Sequence, residues 1–223
     1  MKKIMFNDRY GLTQAVLEGK KTMTRRLMTM TLHKKNGKDM TPVVPDDMFI
    51  ASDGTAHFQV GRNGYMVPKK NQPAFHVGEE IAIAQRYKDC WDFYERQWKA
   101  LNDPSDWHTP DAILGDAVQE TKGWENKMFV KADMMPHRII VRKVDVQRLQ
   151  SISDEDCMKE GIMEGEFMNT WDRFYFDEWG DVANHITFKR PRDAYRDLID
   201  RISGKGTWQR NPWVYVYTFE LLK

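Results

Sequence analysis

Trp213-Val214-Tyr215-Val216-Tyr217-Thr218-Phe219-Glu220 decides the fold class. Trp213, Tyr215, Tyr217 and Phe219 alternate with Val214, Val216, Thr218 and Glu220, the period of two that sends successive side chains to opposite faces of a strand. Aromatic and β-branched residues fill every position but the last, which suits a pleated, half-buried surface. Working back along the chain, residues 138–149 form a second long extended run. Ile139 and Val141 share one parity there and Val144 and Val146 the other, so a bulge or bend is expected near Arg142-Lys143. A third strand, 81–85, opens from a turn at Gly78-Glu79-Glu80, with Ala82 and Ala84 small enough for a crowded interior face. Residues 22–27 are β-prone as well.

Shorter extended runs at 48–51, 55–60 and 65–67 read as a meander within 46–68. Asp53-Gly54 and Asn63-Gly64 separate them, and such dipeptides favour the positive φ angles of tight hairpin turns. Three helices stand between the strands. The first covers 9–18, with Asn7 or Asp8 as cap, Leu12, Ala15 and Val16 on one apolar face, and Gly19 at its end. Ser153 caps a short helix through Glu160 that Gly161 stops. Pro191 opens the third, which carries Tyr195, Leu198, Ile199 and Ile202 at helical spacing, with Gly204 just beyond. Strands with helices packed around them predict an α+β fold, with a small barrel or strongly bent sheet rather than a doubly wound one.

The chain of 223 residues is 41% hydrophobic and 30% charged, which fits one globular domain and excludes a disordered one. No apolar run approaches the roughly 20 residues of a membrane-spanning helix. The start, Met1 to Asp8, turns polar too soon for a secretory signal. Cys90 and Cys157 stand apart from any metal-ligand spacing and suggest no disulfide scaffold, so a reducing compartment, the cytoplasm, is expected.

A net charge of +1 hides a strong asymmetry. Residues 1–45 hold ten Lys/Arg against three Asp/Glu, whereas 89–126 hold three against nine and 153–181 two against ten. The basic part can meet phosphates, or the acidic segments simply balance it within the fold. Two stretches, about 88–130 and 163–190, read as helical or irregular insertions packed on the domain, alongside the meander of about 28–75. They hold six of the eight tryptophans: Trp91, Trp98, Trp107, Trp124, Trp171 and Trp179. Trp91, Tyr94, Trp98 and Leu101 fall at helical spacing, which reads as a buried face rather than a base-stacking platform.

Gly19-Lys20-Lys21-Thr22-Met23-Thr24-Arg25-Arg26 packs four cations and two hydroxyls into eight residues directly after a helix end. Composition alone favours a solvated cationic face with strand-forming threonines. The pattern Leu17-x-Gly19-x-Lys21-Thr22-x-Thr24-x-Arg26 resembles the N-terminal signature of the ASCH family, whose members have a PUA-like β-barrel. Three further pieces are similar to that family in its order: Gly78 to Ile83, Ile152 to Ile162 with its Glu160-Gly161-Ile162 end, and Trp208-x-x-Asn211-Pro212-Trp213-Val214.

The resemblance implies a PUA-like small barrel with insertions and, by likeness to small bacterial members, an amidohydrolase that removes the acetyl group from N4-acetylcytidine. It places the catalytic lysine, threonine and glutamate on Lys21, Thr24 and Glu160, with Glu155 as the fallback for the last. The neighbours Gly19, Lys20, Thr22, Arg25 and Arg26 are expected to bind the nucleoside substrate or RNA, with Arg25 or Arg26 holding a phosphate or a base edge. No cofactor or metal is implied.

The chemistry stands on its own terms. A threonine hydroxyl attacks an amide only with a base beside it. Lys21 serves as that base if burial lowers its pKa, or it stays charged and stabilises a developing oxyanion. Glu160 accepts the proton and returns it to the leaving amine. In a regular strand Lys21 and Thr24 have opposite parity, so a shared site requires Lys21 to lie in the turn before the strand.

Two other function classes remain open. One is a non-catalytic RNA-binding module, which requires a continuous basic groove. The other is a regulatory protein, of phage or prophage origin, that meets a protein partner through its aromatic insertions. His33, His57, His76, His108, His137 and His185 show no paired metal spacing.

Overall fold

The computed structural model describes residues 1–28, 32–36, 39–43, 45–61, 63–66, 72–101, 109–167, 170–178 and 186–222. In chain order its elements are β1 (Lys2–Ile4), α1 (Leu12–Leu17), β2 (Met23–Leu27), β3 (Leu32–Asn36), β4 (Asp39–Val43), β5 (Asp47–Ile50), β6 (Ala56–Val60), β7 (Asn63–Met66) and β8 (Glu80–Ile83). They continue with α2 (Tyr87–Leu101), α3 (Pro110–Leu114), β9 (Arg138–Arg148), α4 (Asp154–Lys159), β10 (Met163–Phe167), β11 (Thr170–Tyr175), α5 (Pro191–Ser203), α6 (Thr207–Arg210) and β12 (Trp213–Leu222).

The mixed α+β architecture centres on a five-stranded sheet in the order β1-β8-β9-β12-β2. β9 and β12, the two longest strands, run antiparallel along their whole length. Their register jumps where Thr218 pairs with Lys143 but Phe219 pairs with Val141. Arg142 is the extra residue, and this bulge accounts for the parity change from Val141 to Val144. β8 pairs with the first half of β9, and β2 pairs with the first half of β12. β1 adds in parallel to β8. At three residues it carries too little alternation to be legible in sequence.

The expected small barrel is not closed: β1 and β2 are the two edges and do not pair. A flat sheet of five strands would hold its edges about 19 Å apart, four spacings of about 4.8 Å. Here Arg26 Nη2 of β2 donates to Met5 O, just beyond β1, at 2.6 Å. One arginine cannot span a flat sheet, so the sheet curls until its edges face each other across a gap.

β8 separates two cores. Ile81 and Ile83 join the main one, with Val16, Leu149, Leu198, Val214 and Phe219. Ala82 and Ala84 face a second, with Tyr87, Cys90, Leu114, Val118, Val130 and Met135. Segment 88–130 therefore packs on the far face of β8, with two small alanines admitting it. The meander β5-β6-β7 takes the predicted order, and Met48, Ala56 and Phe58 extend the main core. Val67, which ends that prediction, lies outside the described residues.

Several expectations are corrected. The helix over 9–18 is broken at Gly11, whose φ of 60° leaves a 3-10 turn at Asp8–Tyr10 before α1. The strand over 81–85 ends at Ile83, where Gln85 turns its backbone to Met135 Sδ. In α2 the fully buried residues are Tyr87 and Cys90, Trp91 and Tyr94 are partly buried, and Leu101 is 57% exposed, so the aromatic face is only half a core. Segment 163–190 is not helical or irregular throughout: β10 and β11 form an antiparallel hairpin, continued by a bridge from Phe174 to Phe188. Trp107, Trp179, His108 and His185 lie outside the described residues. Both cysteines are buried and free. No helix among the described residues is long and apolar enough to cross a membrane.

Candidate active site

The gap between the curled sheet edges is a cavity of about 380 Å³. Met5, Phe6 and Asn7 form one side and β2 the other, with Leu12 of α1, Glu160 and the apolar face of α5 closing it. Among the described residues, none of those lining it comes from 88–130 or 163–190. Segment 88–130 instead positions its wall: Lys127 Nζ bonds Phe6 O, Asp8 Oδ1 and Thr13 Oγ1, and Lys3 Nζ reaches Met128 O and Val130 O.

Local chain geometry brings the three predicted catalytic residues together. α1 ends at Glu18, and Gly19, at φ 73°, reverses the chain. Lys21 consequently falls in the turn before β2, as strand parity requires, and Thr24 sits within β2 opposite Tyr217. Thr22 N donates to Lys159 O at 3.0 Å, which docks this turn on the end of α4. α4 starts where the Ser153 side chain accepts from Asp156 N, and Glu160 is its C-terminal cap. Gly161 follows at φ 102°, and a Cβ there would lie 3.1 Å from Leu12 Cδ2. Only glycine lets the chain leave the helix this close to α1.

Lys21 is 2% exposed and Glu160 4%. Lys21 Nζ donates to Met23 O, Glu160 O and Glu160 Oε2, each at 2.7 Å. All three ammonium protons are thereby engaged, so Lys21 has none left for an oxyanion. Burial pushes its pKa below the ordinary lysine value, while the Glu160 carboxylate pulls the other way. Glu160 Oε1 accepts from Arg25 Nη1 at 3.2 Å, and Arg25 Nη2 reaches Asp156 Oδ2 at 2.8 Å and Gln147 Oε1 at 3.2 Å. Burial works against the Arg25 charge, but Glu160 and Asp156 outweigh it and hold its pKa above the ordinary value. Tyr195, fully enclosed beside Glu160, is raised well above a normal phenol by burial and then by that carboxylate.

Thr24 is 5% exposed and lines the cavity, and nothing among the described residues hydrogen-bonds its hydroxyl. Arg26 differs from the other two cations. It lies 5.7 Å over the Phe6 ring and bonds Met5 O, but it has no carboxylate partner among the described residues. Burial lowers its pKa. The Nε atoms of Arg25 and Arg26 are buried without a hydrogen-bond partner among the described residues.

Of the residues expected to act or bind, Lys21, Thr24, Glu160, Arg25 and Arg26 line the one cavity. Gly19, Lys20 and Thr22 do not line it. Lys20 is exposed and pairs with Glu18 at 2.6 Å, and Thr22 spends its backbone on Lys159 and Phe219. Glu155 is exposed on the outer face of α4, which leaves the role to Glu160. Sequence reading missed Asp156, Gln147, Phe6 and Tyr195. Only Asp156 carried a signal: it precedes Glu160 by four residues and so shares its helix face. Among the described residues no cluster of three or more His, Cys, Asp or Glu is placed to hold a metal ion.

No protein family, curated protein or solved structure matches the chain.

Proposed function

We propose that the cavity is the active site of an amidohydrolase acting on an N4-acylated cytidine or a similar acylated nucleobase, in a PUA-like domain of the ASCH type whose barrel is left open at the site. The observation that carries this reading is the convergence of Lys21, Thr24 and Glu160 on one cavity from a turn, a strand and a helix end. Thr24 Oγ1, without a hydrogen bond among the described residues, is the nucleophile. Lys21 becomes its base when one ammonium proton passes along the 2.7 Å bond to Glu160 Oε2. The lysine lone pair then takes the threonine proton as Oγ1 adds to the amide carbonyl.

Glu160 returns its proton to the amine, the C–N bond breaks, and an acyl-threonine ester remains. Lys21, left as an ammonium, again passes a proton to Glu160. It then takes a proton from water as the water adds to the ester, and Glu160 protonates the departing Thr24 Oγ1, releasing the carboxylic acid. A cavity of about 380 Å³ suits a nucleoside-sized substrate rather than a polymer.

The test is turnover of N4-acetylcytidine by the purified chain beside Lys21→Ala and Thr24→Ala. Turnover by the parent, lost in both folded variants, is the expected result. No turnover above background, or turnover that survives Thr24→Ala, overturns the proposal.

A further inference from the structure

Three cations line the cavity against one carboxylate in its wall and one just behind it. Glu160 is shared by Lys21 and Arg25, and Asp156 by Arg25 and, at 3.6 Å, by the exposed Lys159. With Lys21 as the ammonium that its three acceptors demand, and leaving aside the exposed Lys159, which does not line the cavity, the groups that line or back it carry three positive and two negative charges. The surplus is Arg26, whose Nη2 meets the Met5 carbonyl and, among the described residues, no carboxylate. A half-buried guanidinium whose Nε has no hydrogen-bond partner among the described residues is costly to leave without a counter-ion, and a ligand anion relieves that cost.

The opposite wall has a different chemistry. Leu12, Leu198 and Ile199 are buried in it and Ile202 forms its rim at 38% exposure, while Met5 and Leu27, next to Arg26, add apolar rim at 38% and 37%. Exposed large apolar side chains gathered at one cavity mark a surface that receives an apolar group.

We propose that this cavity binds small monocarboxylates with an apolar chain, the carboxylate on Arg26 and the chain along α5 beside Ile202. A single negative charge neutralises the surplus. A phosphate dianion would exceed it next to Glu160, and on α5 it would meet mostly Leu198, Ile199 and Ile202, with Ser203 and Tyr195 the polar residues there. Charge and lining alone carry this assignment, which goes beyond the hydrolase reading. If that reading holds, the same ligand is the acid half of the product and an inhibitor of turnover.

The experiment is calorimetric titration of the full chain, in chloride-free buffer at pH 7, with acetate, butyrate, hexanoate, hexanamide and inorganic phosphate. Affinity is expected to rise about two- to fourfold per added methylene, and hexanamide and phosphate should bind at least about tenfold more weakly than hexanoate. Arg26→Gln should cost hexanoate about tenfold or more, whereas Arg26→Lys should keep much of its affinity. Ile202→Ser, at an exposed rim position, should flatten the chain-length dependence.

Hexanoate binding without amide turnover would sink the hydrolase proposal and leave this one standing. No saturable carboxylate binding, equal binding of hexanamide, or undiminished binding in folded Arg26→Gln overturns it.

Discussion

Glu160→Gln removes one charge and almost no volume, so its cost is set by the two cations around it. Oε2 accepts from Lys21 Nζ at 2.7 Å and Oε1 from Arg25 Nη1 at 3.2 Å, with both cations buried. A glutamine has one oxygen and one NH2 group. Whichever way it turns, one of the two cations then faces a donor, and both lose their shared negative charge. Breaking a buried pair by removing one partner costs about 3–5 kcal/mol. At about 2–4 °C per kcal/mol for a chain of this size, the melting point should fall by roughly 6–20 °C. Urea unfolding at pH 7 supplies the free energy, and calorimetry the melting point.

Lys21→Met should cost less, because Glu160 keeps Arg25, which also keeps Asp156. The double variant should be more stable than the two single losses added together, with a coupling of about 1–3 kcal/mol. A melting point within about 2 °C of the parent for Glu160→Gln, or additivity within about 0.5 kcal/mol in the cycle, would refute the placement of these groups in one buried cluster.

Burial holds the Lys21 pKa below 10.5. Between that lowered value and 10.5 the unfolded chain binds the extra proton, so the stability of the parent relative to Lys21→Met should increase as pH rises through this window; a flat difference in urea midpoints would contradict it. Burial pushes the thiols of Cys90 and Cys157 up to about 12. Both should resist iodoacetamide in the folded protein and react only on unfolding, and the stability they contribute should be lost as pH rises from 9 toward 12; rapid native-state alkylation would be the contrary result. Gly123→Ala would set a Cβ 2.4 Å from Tyr87 Cε2, where Tyr87 holds the start of α2 against the second core. A loss of about 1–3 kcal/mol is expected, whereas an unchanged urea midpoint would contradict the packing described. Gly161→Ala combines a φ of 102° with a 3.1 Å approach to Leu12. It should lose both stability, by about 1–3 kcal/mol, and amide turnover, since it moves Glu160.

Where an element's own residues set its shape, the sequence disclosed it. The bulge at Arg142, the Ser153 cap, the Pro191 helix start and the long C-terminal strand all follow from local parity, capping or ring geometry, and all appear where expected. What stayed hidden depends on distant partners. β1 is a strand only because β8 lies beside it, and its three residues have no pattern of their own. The hairpin of β10 and β11 lies within an acidic, aromatic stretch whose composition fits several conformations. Gly11 breaks the first helix where Asp177, far along the chain, packs against it, with Cβ only 2.8 Å from where a Cβ on the glycine would be. In the site, Lys21, Thr24 and Arg26 were legible as a segment. That α4 would deliver Glu160 to them through Thr22 N and Lys159 O was not.

Stability alone does not account for this cluster. Replacing a buried ion pair by apolar side chains of similar volume is often neutral or favourable, and the surrounding core of Leu12, Leu198 and Ile199 would accept such residues. A purely structural network would also be expected to satisfy its own donors. Among the described residues, this one leaves two buried guanidinium Nε atoms unpartnered and one guanidinium without a counter-ion, facing or flanking an open cavity. Such costs are retained where the chemistry of a ligand uses them. The double variant Lys21→Met/Glu160→Gln separates the two explanations. If the cluster serves the ligand, that variant should stay folded, yet lose amide turnover while retaining an affinity for hexanoate through Arg26. If the cluster serves only the fold, the same variant should lose stability but leave turnover and hexanoate binding of the folded fraction unchanged.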